Sequence, residues 1–187
     1  MRPAVTETSL YSYLITRPTG RAVRRNIEKM LANFDRHVLT VLDLRNVQLI
    51  DFSCADEVVA KLVVRRPTDG VAPARRFFLF RGVAEHHMGP IESTLTRQGL
   101  VIAAESLDGR PLLLGAIDPV AALAWHEVWR IGRATSMTVA ATLNRDHDEI
   151  LLAFDELETH GLILPDGNCY LSFRKALENP GRDEPTT

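Results

Sequence analysis

The chain has 187 residues, room for one large or two small domains, and its 45% hydrophobic and 25% charged residues are ordinary for a globular protein. A formal net charge of -2 gives no global field that would draw nucleic acid or a membrane surface. Two cysteines, Cys54 and Cys169, cannot make a disulfide framework, and no signal peptide or membrane-spanning apolar run is visible, so a cytoplasmic setting is expected. Taken in chain order, residues 10–16 are rich in β-forming side chains and predict a strand, ended by Pro18 and Gly20. Residues 22–34 predict a helix, with Val23, Ile27, Met30, Leu31 and Phe34 on one face. A second strand follows at 38–44 and a helix at 55–64, then a loop at 65–75 with two prolines and a glycine. The apolar run from Arg76 to Phe80 predicts an inner strand. Residues 83–97 predict a helix, irregular at Gly89-Pro90 and stopped by Gly99. Two strands flanking Asp108-Gly109 read as a hairpin.

The second part changes character. Residues 1–118 hold 16 Lys and Arg against 13 Asp and Glu, and residues 119–187 hold 6 against 11, so the balance moves from +3 to -5. With the turn signal at Asp118-Pro119, this shift sets an expected boundary at residue 118. Beyond it a helix is predicted at 119–131, opened by Pro119. A short helix capped by Ser136 or Thr138 comes next, then one at 150–160 opened by Asp146 or Asp148 and closed by Gly161. Residues 162–173 read as a hairpin around Pro165-Asp166-Gly167-Asn168. The polar tail 179–187 is expected to be disordered.

The stretch with most chemical content runs from Val38 to Val59, where a strand passes through a polar turn into a helix. It places the Ser53 hydroxyl close to a helix N-terminus, where backbone N–H groups lack intrahelical partners and the dipole favours negative charge. Two readings stay open on residue chemistry. Asp51 or Ser53 caps the helix, or Ser53 is a switch whose modification meets a partner. Cys54 reads as a small buried hydrophobe or a reactive thiol, and the Asp56-Glu57 pair as a first-turn response to the dipole.

These residues resemble a STAS domain, the fold of bacterial anti-sigma-factor antagonists, and above all its STAS-like relatives. The resemblance lies in Leu49-Ile50-Asp51 followed by Phe52-Ser53-Cys54-Ala55-Asp56-Glu57, and covers roughly residues 8–117. Asp51 matches the family aspartate, and Ser53 the hydroxyl that an anti-sigma kinase phosphorylates. Cys54 stands where the family usually has glycine, and Phe52 where it often has serine. The implied fold class is α/β, a STAS-like mixed sheet with helices on one side. The second part resembles a winged helix-turn-helix module, on the run Ala134 to Asn144 and on Leu157-Glu158-Thr159-His160-Gly161-Leu162. That resemblance implies a small, mainly α domain with a β-hairpin wing. The expected organisation is a STAS-like domain at 1–118, a winged-helix-like domain at 119–178 and the tail at 179–187.

The would-be DNA-reading segment carries Asp146, Asp148, Glu149, Asp155, Glu156 and Glu158 with only Arg145 opposed, which repels phosphate. A dimer could still present Arg130, Arg133, Arg174 and Lys175. His86-His87 with Glu85 points to opposite sides of a helix and reads as a solvated face, not a metal site. The pairs Arg24-Arg25, Arg65-Arg66 and Arg75-Arg76 read as solvated rims, and Trp125 and Trp129 as core packing or a dimer anchor. No phosphate loop, nucleophile elbow or metal motif is present. The expectation is therefore a non-enzymatic regulatory protein without cofactor or metal. It would act on a protein partner, an anti-sigma-type kinase or other regulator, through Ser53 supported by Asp51, Cys54 and Asp56. The alternative is a winged-helix transcription regulator with an α/β sensor domain.

Overall fold

A computed structural model describes residues 3–64 and 75–178. The chain divides into two compact units, one of Thr6–Ala116, the other of residues 3–5 and 117–178. No helix among the described residues is long and apolar enough to cross a membrane.

The first unit is an α/β layer structure. Strands β1 (Ala4–Ser9), β3 (Val38–Asp43), β5 (Arg76–Val83), β6 (Val101–Ser106) and β7 (Pro111–Gly115) form a five-stranded sheet in the order β1-β3-β5-β6-β7. The pairs β3–β5 and β5–β6 are parallel and the β6–β7 hairpin is antiparallel. Every residue of β3 is buried, as a strand covered on both faces must be. Leu39, Leu42, Phe77, Leu79 and Phe80 are sealed in the core. A two-stranded parallel ribbon, β2 (Tyr13–Leu14) with β4 (Leu49–Ile50), stands apart from this sheet and pairs Tyr13 with Leu49. The helices are α1 (Arg17–Leu31), α4 (Glu85–Gln98) and, between them, a composite of α2 (Phe52–Ala55), a π turn (Asp56–Ala60) and α3 (Lys61–Val63). The composite helix packs on both neighbours.

The first two elements differ from the sequence expectation. Residues 10–16 are not one strand; the sheet begins earlier, at Ala4, and only Tyr13–Leu14 pairs later. Pro18 and Gly20 do not stop a strand but lie in the first turns of α1, where proline costs no hydrogen bond. Gly20 is a packing residue: a Cβ there would lie 3.0 Å from the Cys54 Cα and 3.1 Å from the Glu57 Cβ. The helix foreseen at 55–64 starts at Phe52, because Asp51 is its cap. The loop foreseen at 65–75 falls, but for Arg75, outside the described residues.

His87 corrects the solvated-face reading of His86-His87. It is buried, its Nδ1 accepts the Ala84 N–H at 3.0 Å, and its Nε2 donates to the Val47 carbonyl at 2.8 Å. Burial pushes its pKa below the ordinary imidazole value. A group depressed in the fold adds stability above its unfolded pKa, about 6.5, and that contribution fades as pH drops below it. Denaturant titrations from pH 7.5 down to about 5.5, across the ordinary imidazole pKa, therefore show a steeper loss for wild type than for His87→Asn.

The second unit contains α5 (Pro119–Ile131), β8 (Arg133–Ala134), α6 (Ser136–Leu143), α7 (His147–His160), β9 (Leu164–Asp166), β10 (Cys169–Leu171) and α8 (Phe173–Glu178). The strands form an antiparallel sheet in the order β8-β10-β9. Helix α5 matches the sequence reading, with Asp118 accepting from Val120 and Ala121. The cap of α6 is Thr135 rather than Ser136 or Thr138, and its Oγ1 accepts the Thr138 N–H. Helix α7 starts at His147, capped by Asp146, so Asp148 lies inside its first turn. The hairpin ends at Leu171, and Phe173 opens a helix that the sequence reading assigned to strand. Residues 179–187, the foreseen tail, lie outside the described residues. Trp125 and Trp129 are both buried, their rings 5.1 Å apart, so both serve the core and neither is offered to a dimer interface.

Candidate functional site

The turn from β4 into α2 is built on Asp51. Its Oδ1 accepts the Cys54 N–H at 2.7 Å and the Ser53 hydroxyl at 2.9 Å, and its Oδ2 accepts the Thr16 N–H at 3.1 Å. Burial pushes this carboxyl up, but the Cys54 and Thr16 amides and the Ser53 hydroxyl outweigh it and hold the pKa below the ordinary value. The cap is thus Asp51, and Ser53 is the half-buried second residue of the helix. Its hydroxyl hydrogen points at Asp51, which leaves the oxygen's lone pairs available.

Thr16, across from Asp51, has φ 76. A β-branched residue in this region is strained and persists only where neighbours fix it. Here they do: Asp51 takes its N–H, and the Cys54 thiol donates to its carbonyl at 3.0 Å. Asp51→Ala removes the cap and one of these restraints together. Urea denaturation is expected to show a loss of about 2 kcal/mol, the upper end for a lost cap.

Cys54 is buried, and burial pushes its thiol up to about 11. Its burial and its bond to the Thr16 carbonyl favour the packing reading over the reactive one. Asp56 and Glu57 are also more than a response to the helix dipole. Both are buried, and the π turn that they open brings them under a set of cations. Asp56 receives Arg17 at 2.7 Å, Lys61 at 3.2 Å and the Gln98 amide at 2.9 Å, with Arg97 at 3.9 Å. Glu57 receives Lys61 at 2.6 Å and Arg17 and Arg24 each at 3.2 Å. Burial pushes both carboxyls up, and the surrounding cations overcome it, so both stay ionised. The carboxylates are inside and most of the cationic groups are at the surface, so the outward charge here is positive. The i,i+4 pair Glu57–Lys61 was legible in the sequence; the approach of Arg17, Arg24, Arg97 and Gln98 was not, because it depends on how α1 and α4 pack.

Ser53 lies between the Asp51 carboxylate and exposed apolar side chains. Phe52 and Tyr13 are each 58% exposed, and Leu49 and Ile15 are exposed beside them in the β2–β4 ribbon and its continuation. Aromatic side chains left in water at a ribbon edge, rimmed by Arg17 and Arg97, are a feature of docking surfaces. Among the described residues no group of three His, Cys, Asp or Glu is placed to hold a metal.

In the second unit the basic residues are engaged at home. Arg130 pairs with Glu127, Arg133 with Asp166 at 2.9 Å and Lys175 with Glu178 at 2.8 Å, while Arg174 donates to the Arg130 carbonyl. The exposed face of α7 carries Asp148, Leu151, Leu152 and Asp155. Arg24 and Arg76 are likewise not solvated rims: Arg24 holds Glu57 and Glu28, and Arg76 donates to the Phe34 and Arg36 carbonyls. Arg65-Arg66 lies outside the described residues.

The chain matches no model of a known protein family and none of the curated proteins.

Proposed function

We propose that this protein is a non-enzymatic regulator that works by protein docking at the Ser53 face, with a STAS-like first unit and a winged-helix-like second unit. The observation that carries the reading is the half-buried Ser53 hydroxyl set among exposed Phe52, Tyr13 and Leu49 above a positive rim. Phosphorylation of Ser53 would add roughly two negative charges within hydrogen-bond reach of the Asp51 carboxylate. Repulsion there would open the turn that holds Thr16 and Phe52, and docking would change with it. An anti-sigma-type kinase or a related regulator is the partner that the sequence resemblance implies.

The second unit supports the same class. Its order of helix, strand, two helices and hairpin is that of a winged module, and the sheet order β8-β10-β9 agrees with it. Its α7 face is acidic and its arginines are internally paired, which favours a protein over a phosphate backbone.

Pull-down from the native cell extract tests the switch. Ser53→Ala is expected to retain the partner and Ser53→Asp to lose it, by tenfold or more in yield, an order set by a like charge placed at a docking site. Equal retention of both variants removes Ser53 from the mechanism.

A further inference from the structure

Two exposed faces of the chain are complementary to one another. The first is the Ser53 face, where Tyr13, Ile15, Leu49 and Phe52 are exposed and the side chains of Arg17 and Arg97 are 46% and 67% exposed. The second is the outer face of α7. There Leu152 is 71% exposed and Leu151 lies beside it. Asp148 and Asp155 share that face by helical spacing, at three and four residues from the two leucines. Neither aspartate has an ion pair among the described residues, whereas Glu149 is held by Arg145 at 3.2 Å. Each face thus has an apolar centre and a charged border: on one, Arg17 and Arg97 share the buried Asp56 and still expose their side chains, and on the other the two aspartates have no ion pair among the described residues. The same polarity runs through the sequence, +3 before residue 119 and -5 after it.

We infer that the occupant of the Ser53 face, in the absence of another partner, is α7 of a second copy of this chain. The inference rests on the docking role given above to that face, and adds what covers it. Phe52, Tyr13 and Leu49 would lie against Leu151 and Leu152, and Arg17 and Arg97 would meet Asp148 and Asp155. Apolar contact supplies the attraction, and the opposed charges set orientation and speed of encounter. The two faces are different patches, so the contact is heterologous: each copy offers one unused face, and association continues until a ring closes. A phosphate on Ser53 would place negative charge against the α7 carboxylates and release the copies from one another. Self-association and regulation would then read the same hydroxyl.

Purified full-length protein gives a direct test by sedimentation velocity. Wild type is expected to exceed the monomer mass of 20.9 kDa at about 100 µM, where even a micromolar contact is filled. Phe52→Asp spoils one face and Leu152→Arg the other; both side chains are exposed, so neither change disturbs the core. Each variant alone is expected to be monomeric. Mixed, they retain one intact face of each kind and should form a one-to-one pair that grows no further. A monomeric wild type overturns the inference, and so does a mixture that stays monomeric or a single variant that still associates. A monomeric wild type leaves the pull-down result for Ser53 untouched, so failure here is distinct from failure of partner docking.

Discussion

Glu57→Ala lowers the free energy of unfolding by about 3 kcal/mol, read as a shift in the urea midpoint by far-ultraviolet circular dichroism. Glu57 is fully buried and receives Arg17, Arg24 and Lys61. Removing it takes away one of the two carboxylates that each cation holds: Arg17 and Lys61 keep Asp56, and Arg24 keeps Glu28. The loss falls at the lower end for a broken buried pair because Arg17 and Lys61 can turn to water, while Arg24 is only 15% exposed and cannot do so freely. Asp148→Ala, on the open face of α7, is the control and stays within about 0.5 kcal/mol, as surface changes do. A loss for Glu57→Ala no larger than that of the control would mean that the ion cluster is a surface ornament.

The second large effect is in the other unit. Trp125→Ala costs about 4 kcal/mol, from the cavity left by the largest fully buried side chain and from the Leu162 carbonyl, which loses the indole N–H at 3.1 Å. Both tryptophans of the chain lie in α5, so the fluorescence of the remaining Trp129 reports the unfolding of this unit. A midpoint unchanged from wild type would contradict the packing described for α5.

Much of the fold was legible because local signals and packing agreed. Residues 38–42 are apolar but for Thr40 and residues 77–80 are apolar throughout, a pattern that suits a covered strand. Asp118-Pro119 and Gly161 bound α5 and α7 where proline and glycine chemistry says they should. The errors have one cause, a local residue whose role is set from a distance. Gly20 and Pro18 looked like strand punctuation, yet Gly20 exists to let α1 approach Cys54. Strand β1 was missed because Thr6-Glu7-Thr8-Ser9 is an unbroken polar run without strand alternation and gains its place by pairing with β3.

The candidate site was half visible. Asp51 and Ser53 could be named from the strand-turn-helix pattern alone, since capping is a local affair. The Cys54 N–H on Asp51 decides which of the two caps, and what had no local sign is the further hold on Asp51 by the Thr16 amide, 35 residues away in sequence. Cys54 was read both ways, and its burial favours the packing reading. His87 went wrong because its partner Val47 is on a different element, and a histidine beside another histidine carries no sign of which one faces inward.

The π turn at Asp56–Ala60 has a consequence for how this segment can change length. One widened turn holds an extra residue relative to regular winding, and it is what lets two successive acids face inward together. Deleting any single residue there would restore ordinary pitch and leave the turns on either side in phase, because the widened turn had already absorbed the extra residue. Lys61 would keep its heading, and one of the two acids would have to leave the interior. Homologous chains that are one residue shorter at this point should therefore carry a single inward acid in place of the pair.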